Sequence, residues 1–112
     1  MKLSGTINNS IAILQVEGSL SSDNKPDFDK YINQLIPKEL HLILDLSKVS
    51  FIDSTTLGSI FKFYSIFKKN KRHLVLTSIN EQIYDVFNLT GIAMQIKIFD
   101  SLQNAIDFIQ KN

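Results

Sequence analysis

Residues 41–58 read HLILDLSKVSFIDSTTLG, and this stretch decides the fold. Its first part, residues 41–46, is almost continuously apolar, which is typical of a central strand covered on both faces. A polar segment follows, and Asp53-Ser54-Thr55-Thr56 then supplies an acid and three hydroxyls of the kind that begin a helix. A buried strand followed closely by a helix is the repeating unit of α/β proteins.

Two strands precede this unit and should pair with each other. Residues 2–7 predict a weak first strand, and residues 11–16, which read IAILQV, predict a stronger second one. Asn8-Asn9 stands between them, and asparagine tolerates the positive φ that tight turns require. The two strands should therefore form an antiparallel hairpin.

A loop and a helix should connect this hairpin to the central strand. Residues 17–24 are polar and include a glycine, which predicts the loop. Asp23 or Asn24 caps the helix that follows, because both side chains can accept hydrogen bonds from free N–H groups. Pro37 ends this helix.

The rest of the chain alternates strands and helices. The predicted elements are a strand over residues 73–77, a helix that starts at the capping-box pair Ser78 and Glu81 and ends near Gly91, a strand over residues 95–99, and a helix capped by Asp100 or Ser101. The order ββαβαβαβα implies parallel strands joined by right-handed crossovers. The sequence thus predicts an α/β fold over residues 1–112: one domain, with a mixed sheet, an antiparallel N-terminal strand and βα units.

The helix that begins near Asp53 has more apolar residues than one face needs. Its predicted inward stripe follows helical spacing and consists of Leu57, Ile60, Phe61, Tyr64 and Phe67. Phe63 and Ile66 then turn toward the outer face, where two large apolar side chains indicate a partner-binding surface. The alternative is that a neighbouring helix or the 17–24 loop covers them.

Composition excludes several classes of function. The chain has no cysteine, which removes thiolate catalysis, disulfides and cysteine-ligated metals. The formal net charge is only +1, so no electrostatic footprint indicates binding to nucleic acid. No apolar run approaches the roughly 20 residues that span a bilayer, and the first residues lack the apolar stretch of a signal peptide. We therefore expect a cytoplasmic protein without a membrane span.

No motif for catalysis, a metal or a cofactor stands out, so we expect a binding protein and not an enzyme. His41 and His73 each begin a predicted strand and have neither ligand-like spacing nor a triad partner. The four glycines do not cluster into a phosphate-binding loop. Asp45 and Asp53 are too few acids to form the magnesium site of a response-regulator receiver.

The run Asp53-Ser54-Thr55-Thr56 has two interpretations. As a helix start, Asp53 or Ser54 alone suffices to accept hydrogen bonds from the free N–H groups of the first turn. Four such residues in a surface loop exceed that need. Hydroxyls at an exposed helix N-terminus also suit phosphate chemistry, because the helix end stabilises a phosphate.

The same residues resemble the signature of STAS domains, the anti-sigma factor antagonist family. In that family an apolar strand ends in Asp-Leu-Ser, and Asp-Ser-Ser/Thr-Gly-Leu-Gly opens the following helix. Asp45-Leu46-Ser47 is similar to the first part, and Asp53-Ser54-Thr55 with Leu57-Gly58 is similar to the second. Residues 16–20, which read VEGSL, resemble the turn before the family's first helix. The order of elements agrees along essentially the whole chain.

The resemblance implies a regulatory switch. A family member binds an anti-sigma factor that is also a Ser/Thr kinase, and so regulates sigma-factor-dependent transcription. Phosphorylation by that kinase ends the binding, and a phosphatase resets the switch. By position, the resemblance makes Thr55 the phosphoacceptor, with Ser54 and Thr56 as alternatives. It gives Asp53 and Ser54 a role in shaping the loop or contacting the partner.

Two residues depart from the family pattern. Thr56 stands where the family often has glycine, and a β-branched residue stiffens the loop there. Ser21 stands where an acidic residue is common, which alters the partner contacts expected from the 17–24 loop. A STAS scaffold that is not phosphorylated, or a module associated with a transporter, is the alternative function.

Overall fold

The computed structural model describes residues 1–111, which form a sheet of five strands with helices on both faces. The strands lie side by side in chain order and are β1 (Lys2–Asn8), β2 (Ile11–Leu20), β3 (His41–Ile52), β4 (Leu74–Thr77) and β5 (Ile98–Phe99). β1 is antiparallel to β2, and all other neighbours are parallel. The predicted α/β class with a mixed sheet is confirmed.

Five helices connect and follow these strands. They are α1 (Lys25–Leu35), which continues into a 3₁₀ turn over Ile36–Lys38, α2 (Ser54–Lys69), α3 (Glu81–Leu89), α4 (Ile92–Gln95) and α5 (Leu102–Lys111). α4 was not predicted, and the strand expected over residues 95–99 is reduced to Ile98–Phe99. The reason is that Ile92 and Ile96 are both buried by a single helical turn, closed by the Ile96 N–H bond to the Ile92 carbonyl at 2.9 Å. Among residues 1–111, no helix combines the length and apolar character needed to cross a bilayer.

The central strand β3 contributes to two separate hydrophobic clusters. Leu42 and Leu44 point to the face covered by α1, α2 and α3 and belong to the larger cluster. Ile43, one residue apart, points to the opposite face and packs with Val75 and Ile109 in the smaller cluster under α5. This alternation explains the continuous apolar run, because both faces of a parallel strand are covered.

β2 and β3 are longer than predicted, and their extensions hold the functional site. The loop expected over residues 17–24 begins only after Leu20, and β3 continues through Ile52. The extensions pair irregularly, with register shifts between Gln15 and Glu17 and between Gly18 and Ser19. Gly18 was predicted to lie in a loop. It has a φ of 99° and permits a β-bulge within β2.

One predicted turn and one predicted helix cap lie at other residues in the structure. The hairpin loop is Asn9-Ser10 and not Asn8-Asn9, because Asn8 still pairs with Ile11; Asn9 has the positive φ of 58°. α3 is capped by Asn80, whose Oδ1 accepts from the Ile83 N–H at 2.9 Å, and not by Ser78. Ser78 has a φ of 62° and belongs to the preceding turn.

The predicted inward face of α2 was wrong in phase. Phe63, expected outside, is 1% exposed and belongs to the larger cluster, whereas Phe61, expected inside, is 40% exposed. Ile66 is partly buried and packs against the same cluster, so it does not form an outer patch with Phe63. Seven large apolar residues are spread over more than half of the circumference of this helix, so helical spacing alone does not decide which side faces the sheet.

Candidate functional site

Asp53 is the organising residue at the start of α2. It has extended backbone angles as the N-cap, and its Oδ1 accepts from the Thr56 N–H at 3.0 Å. The same oxygen accepts from the Thr55 hydroxyl at 2.8 Å and from the Thr56 hydroxyl at 2.9 Å. One carboxylate oxygen therefore holds the first turn of the helix and both threonine side chains.

The other oxygen of Asp53 holds the turn after β2. Oδ2 accepts from the Ser22 N–H at 2.8 Å, and the Asp53 N–H donates to the Leu20 carbonyl at 3.0 Å. A residue 31 positions away in the chain is thus fastened to the helix start. This connection makes the shape of the turn depend on the carboxylate of Asp53.

The turn itself is braced from within by Asn24. Its Oδ1 accepts from the Ser21 N–H at 2.9 Å, and its Nδ2 donates to the Ser19 carbonyl at 2.7 Å. Asn24 occupies the N-cap position of α1, as predicted, but its side chain makes no capping bond to that helix. The turn that contains Ser21 and Ser22 is therefore preformed, and the Asp53 contact docks it onto α2.

Hydrogen bonds lower the pKa of Asp53 from 3.8 to about 2. The largest cause is the Thr56 N–H; the hydroxyls of Thr55 and Thr56 and the Ser22 N–H add to it, while burial acts in the opposite direction. Donors that bind the charged form of a carboxyl favour that form. Asp53 is consequently ionised at neutral pH and is a fixed negative charge beside the hydroxyls.

The three hydroxyls differ in their access to a partner. Ser54 and Thr55 are exposed at the first turn of α2. Thr56 is 0% exposed, and its hydroxyl is engaged by Asp53, so a kinase cannot reach it without opening the helix start. The structure thus separates Thr56, a predicted alternative acceptor, from the two accessible ones.

A third segment meets the site from the other side. Nδ2 of Asn80, at the start of α3, donates to the Val49 carbonyl on the extended part of β3 at 3.0 Å. Asp45, from the first half of the motif, accepts from the Ser47 N–H at 3.0 Å. Side-chain hydrogen bonds therefore connect the turn after β2 to the start of α2, and the start of α3 to the backbone of β3.

Phe63 and Ile66, which were predicted to bind a partner, are not part of this arrangement, and neither are the two histidines. Phe63 is buried in the larger cluster and the half-buried Ile66 packs against it, so the two do not form the exposed apolar pair that was predicted. His41 and His73 lie at the amino ends of β3 and β4, where the His73 N–H donates to Nδ1 of His41 at 2.9 Å. Burial, His73 and Arg72 lower the pKa of His41, in that order of effect.

Sequence reasoning missed three contributors to the site. The Ser22 amide is invisible to any pattern, because backbone N–H groups are common to all residues. Asn24 and Asn80 were detectable as polar residues next to helix starts, but their bonds to Ser19 and Val49 join distant segments.

The geometry suits modification and binding at an exposed hydroxyl. The N–H groups of Ser54 and Thr55 have no acceptor in a preceding helical turn, so they can stabilise a nearby anion. The charge of Asp53 opposes any second negative group added to the Thr55 oxygen, which lies 2.8 Å from Oδ1. Addition of an anionic group at Thr55 would therefore strain the contacts through which Asp53 holds the turn.

Comparisons with known proteins agree with this geometry. The family model of the STAS domain matches residues 3–105. A Thermotoga maritima protein is 30% identical over 84 residues, which cover 75% of this chain and 72% of the relative. The anti-sigma-B factor antagonist of Listeria monocytogenes is 27% identical over 84 residues, with 74% of each chain covered.

Solved structures of anti-sigma factor antagonists have the same fold as this chain. A crystal structure from Thermotoga maritima has a TM-score of 0.90 at 26% identity and covers 96% of this chain and 94% of its own. The anti-sigma factor antagonist SpoIIAA in its unphosphorylated form has a TM-score of 0.85 at 15% identity, with 99% and 98% covered; its phosphorylated form has a TM-score of 0.76 at 15% identity, with 96% and 99% covered. From the matched residues, the order of elements and the site at the start of α2, this chain belongs to the STAS domain family.

Proposed function

We propose that this chain is an anti-sigma factor antagonist whose affinity for its partner is switched by phosphorylation of Thr55. The partner is an anti-sigma factor that is also a Ser/Thr kinase, and a phosphatase reverses the modification. The observation behind the proposal is that an exposed hydroxyl on Thr55 donates at 2.8 Å to the carboxylate that fastens the turn after β2. The names of relatives such as the Listeria protein support the general role.

The contacts of Asp53 supply a physical mechanism for the switch. A phosphate on Thr55 removes the proton that the hydroxyl donates and adds a charge of about −1.5 to −2. Asp53 is already ionised, so the two groups repel each other. Relief of this repulsion requires Asp53 or the phosphate to move, and movement of Asp53 releases the Ser22 amide. The surface presented to the partner then changes in both charge and shape.

Thr55 fits this mechanism better than its neighbours. Ser54 is exposed, but no hydrogen bond among the described residues joins its hydroxyl to Asp53, so a phosphate there would not directly disturb that contact. Thr56 is buried. We therefore propose Asp53 and Ser54 as residues that shape or contact the partner surface, together with Ser21 in the adjacent turn. The chemistry of phosphoryl transfer belongs to the kinase, and the chain itself acts as a cytoplasmic binding protein.

Phosphorylation can be tested with purified components. The chain is incubated with each anti-sigma factor kinase of the source cell and magnesium ATP, and intact mass is followed for wild type, Thr55→Ala and Ser54→Ala. We expect wild type and Ser54→Ala to gain one phosphate and Thr55→Ala to gain none. Phosphate on Thr55→Ala would reject the acceptor, and its absence from all proteins would favour the scaffold alternative.

Binding tests the electrostatic part of the switch separately. Isothermal titration with the same kinase compares wild type with Thr55→Glu and with Thr55→Gln, which has nearly the same shape without the charge. We expect Thr55→Glu to weaken binding about tenfold, or 1.4 kcal/mol, and Thr55→Gln to weaken it much less. Equal weakening by both variants would show that side-chain size, and not charge, controls the affinity.

A further inference from the structure

A cavity of about 530 Å³ lies near the far end of α2 from Thr55. It is an open cavity lined by the last turn of α2, the start of β4, residues 93–97 and α5, and we call it the basic recess. Within residues 1–111, β5 pairs with Leu76 and Thr77 at the end of β4. The first residues of β4, Leu74 and Val75, are not covered by β5 and form the floor of the basic recess. From Ser54 to Lys68 the helix rises about 21 Å, so the basic recess is separate from the proposed switch.

The charge of the basic recess is entirely of one sign. Its lining includes Lys68, Lys71, Arg72 and Lys97 and no acidic residue, although the whole chain has 11 acids against 12 Lys and Arg. Arg72 donates to the Glu39 carbonyl at 2.7 Å and forms an ion pair with the Glu39 carboxylate at 3.9 Å, whereas none of the three lysines takes part in a salt bridge within residues 1–111. Unpaired cations around one concave surface raise the local concentration of anions.

Aromatic walls accompany these cations. Nζ of Lys68 lies 5.9 Å from the ring centre of Tyr64 on α2, and Nζ of Lys97 lies 5.4 Å from the ring centre of Phe108 on α5. The edge of β4 and the side chain of Ile96 complete an apolar floor between them. The basic recess thus combines a surface for an apolar or flat body with groups that bind a negative charge, as small-molecule sites do.

At the end of α2, Lys71 occupies a backbone position that usually favours glycine. The Arg72 N–H donates to the Phe67 carbonyl at 2.8 Å, and the Lys71 N–H donates to the Lys68 carbonyl at 3.0 Å. This pattern ends a helix with a residue in the left-handed region, where glycine is usual, and Lys71 has a φ of 60°. The same bonds occupy helix-end carbonyls that would otherwise repel an anion. Lys71 thus contributes charge at a position where glycine would suit the backbone better.

We propose that the basic recess binds a small amphipathic anion, an organic phosphate or carboxylate with an aromatic or apolar body. A small molecule fits better than a nucleic acid or a membrane surface, because the cations converge on one cavity and the chain has a net charge of only +1. The inference does not depend on phosphorylation of Thr55, which lies at the other end of the helix.

The first test uses 1-naphthyl phosphate as the probe. Its affinity is measured by isothermal titration, and its position is mapped by backbone amide shifts in two-dimensional NMR. We expect shifts at residues 71–75 and 95–97, and binding at least about tenfold tighter than for 1-naphthol or for inorganic phosphate. Equal affinity for 1-naphthol or inorganic phosphate, or shifts confined to other residues, would overturn the proposal.

Variants separate binding from stability. Lys71→Gly should raise the unfolding temperature, since it relieves the left-handed strain, and yet weaken binding of the probe several-fold. Lys97→Gln should weaken binding while leaving the fold intact. Lys30→Gln removes an exposed cation of α1 outside the basic recess and should bind as wild type does. Wild-type affinity for both recess variants, or an equal loss in Lys30→Gln, would contradict the site.

Discussion

Asp53 joins the turn after β2 to the first turn of α2 through its two carboxylate oxygens. Oδ1 accepts from the backbone and hydroxyl of Thr56 and from the hydroxyl of Thr55, and Oδ2 accepts from the Ser22 N–H. Sequence analysis predicted Asp53 or Ser54 as the cap of α2, because the residue types at a helix start are a local signal, and the structure places Asp53 there. It did not predict the contact with Ser22, because that contact depends on how the extensions of β2 and β3 pair.

The pKa of Asp53 predicts how stability depends on pH. It is about 2 in the folded chain and 3.8 ordinarily, so the unfolded chain binds the proton more readily. The stabilisation from ionised Asp53 is then complete above the ordinary value and is lost as pH falls through the folded one. The free energy of unfolding, from urea titrations of wild type and Asp53→Asn, should differ by a constant amount above about pH 5 and converge as the pH approaches about 2.

Asp53→Asn is the matched control because asparagine retains an oxygen that can cap the helix. If the two proteins lose stability in parallel over the whole acid range, the hydrogen bonds of Asp53 do not favour its charged form in the folded chain.

At the scale of the element, α2 shows where pattern analysis reached its limit. Its existence and its start were predicted correctly, but its rotation about the helix axis was not. Leu57, Ile60 and Phe67 are buried under either rotation, and only the packing against α1 and the sheet distinguishes Phe63 from Phe61. A helix with apolar residues on more than half its surface contains no sequence signal for that choice.

Phe63→Ala and Phe61→Ala test this correction. Removal of the buried Phe63 ring should cost about 3–5 kcal/mol of unfolding free energy, since it leaves a cavity in the larger cluster. Removal of the exposed Phe61 ring, which meets Tyr64 at 6.3 Å between centroids, should cost about 1 kcal/mol or less. Denaturant titrations measure the loss of unfolding free energy in both variants. Similar losses would show that Phe61 is also part of the core.

Two glycines of the helical part should respond in opposite ways to alanine. Neither Gly58 in α2 nor Gly91 after α3 has any atom within 4 Å of an added Cβ, so packing does not distinguish them. Gly58 is helical, and alanine there should stabilise the chain by about 1 kcal/mol. Gly91 has a φ of 79°, and alanine there should destabilise by about 1–2 kcal/mol. Thermal unfolding of both variants gives the sign; a loss at Gly58 would contradict the open surroundings found there.

At the scale of the whole molecule, the order of elements allowed the sheet to be predicted. The apolar run of residues 41–46 predicted a strand covered on both faces, and Ile43 and Leu44 do lie in different clusters. The lengths of β2 and β3 were not predictable from pattern, because their extensions contain Gly18 and exposed polar residues and are held by pairing with each other. The hairpin turn lies one residue later than predicted and the cap of α3 two residues later, because neighbouring polar residues give the same local signal.

Because β3 and β4 belong to both clusters, the two faces should unfold together. Ile109→Ala enlarges the space under α5 and should cost about 2–5 kcal/mol. The three tyrosines lie on α1, α2 and α3, on the other side of the sheet. Their fluorescence should therefore report the same lowered midpoint as far-UV circular dichroism. Gln110→Ala, exposed on the same helix, should change neither; an unchanged tyrosine midpoint in Ile109→Ala would show independent unfolding.

The strand order has a consequence for synthesis on the ribosome. Every strand pairs with the strand that precedes it in the chain, so a nascent polypeptide can extend its sheet one strand at a time without inserting a late strand between early ones. α5, the helix that shields Ile43 and Val75, follows all five strands in the chain and so emerges after them. A product released before α5 is made would display that apolar face to water, which marks it for chaperones and proteases. Synthesis of α5 is therefore required before this face of the sheet can be buried.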